Sequence, residues 1–257
     1  MAREELVAVG DAEIEVLRRG AGQPLLLLPG EDMLEADSAF VAGLAERFEV
    51  VLPSPPGFGR STRPDWLSAP GDIAYLCLSL MERLALESVP VIGCSLGGWI
   101  AVEMAVRNAA RCSRLVLIDP YGVKLGGPTT RDFVDIWQLS PEKVAALKWH
   151  DPEHGKRDTA TLSDEQLGRM ARNHESFARF SWEPYLHNPK LKHLLYRIGV
   201  PTLMLWGEQD GIASPDYGRG YAQLIPGATT TAIADAGHYP HLEQPEAVLR
   251  RVTEFLG

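Results

Sequence analysis

The sequence predicts an α/β fold: a mostly parallel central sheet flanked by helices, with a helical insertion after the sixth strand. Three features carry this. Short apolar runs such as residues 24–29 (Pro-Leu-Leu-Leu-Leu-Pro) show no alternation, as expected of strands buried on both faces of a parallel sheet. Stretches with helical spacing of apolar residues separate these runs. Between Gly122 and Arg197 the rhythm stops, and helix starts appear without a convincing strand.

Taken in order, residues 6–9 end at Gly10-Asp11, a tight-turn dipeptide, and residues 12–19 then alternate apolar and charged side chains. This pair is expected to form an antiparallel hairpin at a sheet edge. Residues 24–29, 48–53, 89–93 and 115–118 are expected as buried strands, with helices over 39–47, 73–84 and 99–107 between them. In the insertion, a helix is expected over 130–138. Ser140-Pro141 sets a cap before a proline at the first helical position. Ser163-Asp164-Glu165-Gln166 is a capping box, followed by Leu167, Met170, His174, Phe177 and Ala178 on one helix face. Asn188-Pro189 opens a further short helix. Strand 202–206 resumes the alternation, which runs to the end. Residues 1–122 and 198–257 therefore form the core domain, and 123–197 a helical cap.

Composition limits the function. Of the 257 residues 45% are hydrophobic and 23% charged, close to ordinary globular usage, which argues against disorder, collagen and coiled coil. The net charge of −9, without a Lys/Arg block, argues against a nucleic-acid partner. The longest apolar run, 24–29, is far too short for a membrane span. The opening Met-Ala-Arg-Glu-Glu lacks the apolar core of a signal peptide. Cys77, Cys94 and Cys112 have no paired spacing. The expectation is a soluble, cytoplasmic protein without a membrane partner, its oligomeric state left open.

The sharpest chemical signal is Gly93-Cys94-Ser95-Leu96-Gly97, a G-x-S-x-G pattern between a buried strand and a helix. So tight a turn excludes a β-carbon two residues before and after the serine, and it exposes the hydroxyl above the sheet. A serine hydroxyl is a poor nucleophile until a base takes its proton. Downstream, Trp206-Gly207-Glu208-Gln209-Asp210 ends in a carboxylate after a strand, and Asp235-Ala236-Gly237-His238-Tyr239-Pro240 places a histidine before the last helix.

On these residues the chain resembles the α/β-hydrolase superfamily, in its capped serine-hydrolase branch, over nearly its whole length. Pro55-Pro56-Gly57-Phe58-Gly59-Arg60-Ser61 is similar to that family's P-G-x-G-x-S loop, and His238 to Pro245 to its terminal histidine segment. The resemblance implies Ser95 as nucleophile, His238 as general base and then acid, and Asp210 as the orienting carboxylate. His241 competes with His238, and Glu208, Asp235 and above all Asp119 compete with Asp210. It also implies an oxyanion hole from the backbone N–H groups of Leu96 and Glu31, the Glu31 and Asp32 side chains being expected to point away from the reacting oxygen. Pro29 and Cys94 stand where relatives often carry histidine; a buried cysteine behaves as a small hydrophobe.

The activity implied is that of a cofactor-independent, carboxylesterase-type serine hydrolase acting on a small, largely apolar ester or acyl compound, with Trp99, His174 and Trp182 as candidate substrate contacts. The rivals are a carbon–carbon bond hydrolase of ring-fission diketones, for which Arg169, Arg172 and Arg179 are the available carboxylate anchors, and a small-molecule receptor. His150-Asp151-Pro152-Glu153-His154 matches H-x-x-E-H, but Pro152 interrupts the single helix face that a metal site would need, so no metal is expected.

Overall fold

Eight strands form one sheet: β1 (Arg3–Val9), β2 (Ala12–Arg19), β3 (Gln23–Leu28), β4 (Phe48–Pro53), β5 (Val89–Cys94), β6 (Cys112–Ile118), β7 (Thr202–Gly207) and β8 (Thr229–Ile233). The structure, a computed structural model, describes residues 2–156 and 159–257. The strand order is β1-β2-β4-β3-β5-β6-β7-β8, with the β1–β2 and β2–β4 pairings antiparallel at one edge and the remaining pairings parallel. This is the α/β-hydrolase fold that the sequence predicts.

The unalternating strands divide their side chains between two cores. Leu26, Leu28, Val91 and Leu117 face one side, under helices α2 (Pro70–Arg83), α3 (Leu96–Arg107) and α6 (Pro215–Ala222). Leu25, Leu27, Ile92 and Val116 face the other, under α1 (Ala39–Leu44), α7 (Pro240–Glu243) and α8 (Pro245–Leu256). Successive strand residues point to opposite faces, so a strand covered on both sides must be apolar throughout. Cys94 packs in the second core, and burial drives its thiol pKa well up, consistent with a packing role.

Between β6 and β7 the described residues hold helices α4 (Pro141–Lys148) and α5 (Asp164–Ser181) and several 3₁₀ turns, but no strand of the sheet. The capping box at Ser163 forms as expected, with Ser163 Oγ accepting from the Gln166 N–H at 3.2 Å. The expected helix over 130–138 does not form; only Ile136–Gln138 makes a 3₁₀ turn. Here partners outside the helical pattern take the N–H groups that a helix would use. Val134 N–H donates to the Ile212 carbonyl, Ile136 N–H to Tyr185 Oη, and Trp137 N–H to Asp135 Oδ1. Likewise Asn188-Pro189 leads into two 3₁₀ turns, Leu191–His193 and Leu195–Arg197, rather than an α-helix. No helix among the described residues is long and apolar enough to cross a membrane.

The glycine loop after β4 seats α5 on the sheet domain. Gly57 and Gly59 have φ of +87° and +54°, which turns their backbone groups outward. The Gly57 carbonyl accepts from Ser176 Oγ at 2.7 Å, and the Gly59 N–H donates to Asn173 Oδ1 at 2.9 Å.

Candidate active site

Adjacent parallel strands deliver the candidate groups to one edge. Glu31 follows β3, Ser95 follows β5, Asp119 follows β6, Asp210 follows β7, and His238 follows β8. Ligands of open α/β sheets bind outside these carboxyl ends. Ser95 has φ 49° and ψ −115°, a strained backbone for a residue with a side chain. The strain is tolerable because the glycines on either side let β5 and α3 close up. A β-carbon on Gly97 would stand 2.2 Å from the Leu28 carbonyl oxygen, and one on Gly93 2.6 Å from that of Gly97.

Ser95 Oγ lies 2.8 Å from His238 Nε2, and His238 Nδ1 lies 2.8 Å from Asp210 Oδ2. Asp210 Oδ1 accepts from the N–H groups of Ile212 (2.8 Å) and Ala213 (3.1 Å), which fixes the carboxylate plane. The end of α4 ties both loops down: the Lys148 carbonyl accepts from His238 N–H at 2.6 Å, and the Leu147 carbonyl from Gly211 N–H at 2.9 Å. Ser95, His238 and Asp210 are all buried.

Of the competing carboxylates, two stand at the surface and the third lies beside Asp210. Glu208 and Asp235 are exposed. Asp119 is buried, accepts from Gly207 N–H at 3.0 Å through Oδ1, and lies within 4.8 Å of Asp210 and His238. Burial and the neighbouring Asp210 charge push its pKa well up. His150 and His154 do not share a ligand: His150 faces Asp235 and His154 faces Asp151.

His241 packs edge-on against Phe40, with Nδ1 unpartnered. Burial, aided by the His238 charge, depresses its pKa from 6.5 to about 3. The unfolded chain therefore takes up a proton that the folded one refuses. Stability from this group is present above about pH 6.5 and is lost as pH falls toward 3. His241→Phe is expected to flatten the fall in melting temperature between pH 6.5 and 4; an unchanged curve would contradict this.

The Glu31 side chain departs from expectation. It does not point away: Glu31 Oε2 accepts from Ser95 Oγ at 2.7 Å. Its Oε1 accepts from Lys148 Nζ (3.0 Å), Tyr239 Oη (2.8 Å) and Tyr121 Oη (3.3 Å). Burial alone would raise the Glu31 pKa. The Lys148 and His238 charges, with hydrogen bonds from its own backbone N–H and from Ser95, outweigh burial and hold it at about 2. Burial would likewise lower the pKa of Lys148, but Asp32 (3.3 Å) and Glu31 raise it. A buried carboxylate is tolerable only with partners of this kind, and here it has four. Leu96, the other expected oxyanion donor, is the first residue of α3, where N–H groups lack intrahelical acceptors.

A cavity of about 600 Å³ lies beside this cluster, lined by Glu31, Asp32, Trp137, Lys148, Trp149 and His174 among others. Of the three expected substrate contacts, only His174 reaches it. Trp99 is buried against Gly122 and donates to Glu103 Oε1 at 3.2 Å. Trp182 stands at the C-terminal cap of α5, where the helix has passed the cavity, and is 57% exposed. Lys148, Tyr121, Tyr239 and Trp149 have no distinguishing sequence signal. Lys148 is a single lysine after an apolar stretch, and its partner Glu31 is distant in the chain.

Residues 25–251 match the alpha/beta hydrolase family. The chain is 27% identical over 249 residues to a pimeloyl-[acyl-carrier protein] methyl ester esterase of Vibrio cholerae, covering 92% of this chain and 95% of that one. It is 26% identical over 251 residues to a 2-hydroxymuconate semialdehyde hydrolase of Pseudomonas putida, covering 93% and 88%. The fold is also that of a meta-cleavage product hydrolase from Pseudomonas fluorescens IP01, with a TM-score of 0.79 at 20% identity over 98% and 97% of the two chains.

Proposed function

Since the chain belongs to the alpha/beta hydrolase family, we propose that it is a serine hydrolase cleaving a small, largely apolar carboxylic ester. The observation that carries this is the hydrogen-bonded chain from Ser95 through His238 to Asp210 at the carboxyl edge of the sheet. In this reading Ser95 Oγ attacks the ester carbonyl as His238 Nε2 takes its proton. Asp210 holds the ring and stabilises its positive charge. The N–H groups of Leu96 and Glu31 receive the oxyanion, each worth about 3 kcal/mol in the transition state. His238 then protonates the departing alcohol, and a water deprotonated by His238 releases the acid.

Residues 123–197 act in this reading as a cap. α4 and α5 supply the cavity residues Lys148, Trp149 and His174 or their neighbours, exclude water and set the acyl length that fits. A carbon–carbon bond hydrolase would need a free cation for a substrate carboxylate. Among the described residues lining the cavity the cation is Lys148, whose three donors already serve Glu31, Asp32 and Tyr239. This favours the ester over the diketone.

The test is initial rates on p-nitrophenyl esters of increasing acyl length, with Ser95→Ala alongside. Turnover that vanishes in the variant is expected, with an optimum at short to medium chains. Turnover confined to a dienoate diketone would replace the ester by the carbon–carbon bond reaction, and none on either would favour a receptor.

A further inference from the structure

We infer that the Glu31 carboxylate is an internal occupant of the oxyanion site, seated on the nucleophile by Lys148, and that it must withdraw before a carbonyl substrate can bind there. The inference rests on the reading of Ser95 as nucleophile and of the Glu31 and Leu96 N–H groups as oxyanion donors.

Three observations support it. First, the carboxylate lies on the nucleophile, where a substrate carbonyl must approach. Oε2 is 2.7 Å from Ser95 Oγ, and Glu31 itself carries one of the two proposed donors. An oxyanion developing beside a resident carboxylate would be repelled, so the two occupants exclude each other.

Second, the proton count is wrong for attack. The Ser95 hydroxyl carries one proton and has acceptors on both sides, Glu31 at 2.7 Å and His238 Nε2 at 2.8 Å. While the hydroxyl donates to the ionised Glu31, the contact with His238 is satisfied only if Nε2 bears a proton, and a histidine in that state is no base. Withdrawal of Glu31 lets the hydroxyl turn to a neutral His238.

Third, the nucleophile is sealed. The cavity is lined by Glu31 and Lys148 but by neither Ser95 nor His238, and Ser95 is 1% exposed. Release has a built counterpart. Lys148 Nζ also contacts Asp32, whose side chain is 42% exposed, so the ammonium keeps a carboxylate partner when Glu31 leaves. The Lys148 backbone stays fixed by its bond from His238 N–H, so the motion belongs to side chains and not to the whole of α4. Glu31 thus acts as a gate on Ser95, and the reactive form is a minor one until substrate displaces it.

The test is the labelling rate of the full-length protein by a neutral alkyl fluorophosphonate. Ser95 Oγ forms a bond to phosphorus as the P–F bond breaks, fluoride leaves, and the hydroxyl proton passes to His238. Wild type is compared with Glu31→Gln, Glu31→Asp and Ser95→Ala. Glu31→Gln removes the charge. Glu31→Asp keeps the charge opposite Lys148 but is one methylene too short to hold Ser95, and so separates gating from loss of the ion pair. Both are expected to label at least about tenfold faster than wild type, as follows if the open form is no more than roughly a tenth of the resting population. Labelling of both variants at or below the wild-type rate overturns the gate, provided that wild type labels and Ser95→Ala does not. Absence of Ser95 labelling in wild type and both Glu31 variants instead overturns the nucleophile reading, and the gate with it.

Discussion

Asp210→Asn is expected to lower the hydrolysis rate by about 10⁴-fold, while Asp119→Asn leaves it within a few fold of wild type. Asp210 Oδ2 accepts from His238 Nδ1, and its Oδ1 is already held by the N–H groups of Ile212 and Ala213. In the Asn variant the amide oxygen keeps the two backbone bonds and the NH₂ group faces the ring. Nδ1 must then accept, the proton moves to Nε2, and the base toward Ser95 is lost. Asp119 stands one strand away and accepts from Gly207 N–H through Oδ1, a bond that the oxygen of an amide of the same shape keeps. The measurement is kcat/KM for both variants on the best p-nitrophenyl ester, with melting temperatures to confirm folding. An Asp210→Asn rate near wild type, or a larger loss in Asp119→Asn, would move the orienting role to Asp119.

Gly97→Ala is expected to cost about 3 kcal/mol or more of stability and to abolish turnover. The added carbon would lie 2.2 Å from the Leu28 carbonyl oxygen and 2.4 Å from that of Pro29. Both are backbone atoms, so relief requires α3 to retreat from β3. The same retreat carries Leu96 N–H and the Ser95 backbone out of register with His238. For a domain of this size the loss corresponds to a melting temperature lower by roughly 6–12 °C. Thermal unfolding and ester turnover check it together. A variant that melts with wild type and keeps its rate would contradict the tight elbow.

Much of the architecture was legible because it depends on neighbours in the chain. The doubly buried strands announce themselves by losing alternation, as in residues 24–29, and the elbow by glycines two residues either side of Ser95. The Ser163 cap formed for the same reason: donor and acceptor are three residues apart. Residues 130–138 were misleading, since the N–H groups of the helix expected there go elsewhere: Val134 to the Ile212 carbonyl, Ile136 to Tyr185 and Trp137 to Asp135. The two acidic residues after Pro29-Gly30 were a visible oddity, but their direction was not legible.

The sequence by itself determined the α/β sheet and the tight turn at Ser95, and it offered Ser95, Asp210 and His238 in the order proposed for nucleophile, acid and base. Each follows from local sterics and from periodicity within a few residues. Only the tertiary structure decided that Glu31 turns onto Ser95, that Asp119 is buried beside Asp210, and that His174 meets the cavity while Trp99 and Trp182 do not. The physical reason is separation along the chain. Glu31 is held by Tyr121, Lys148 and Tyr239, which lie 90, 117 and 208 residues away. A buried charge takes the direction of whatever partners the fold brings to it, and no local pattern records who they are.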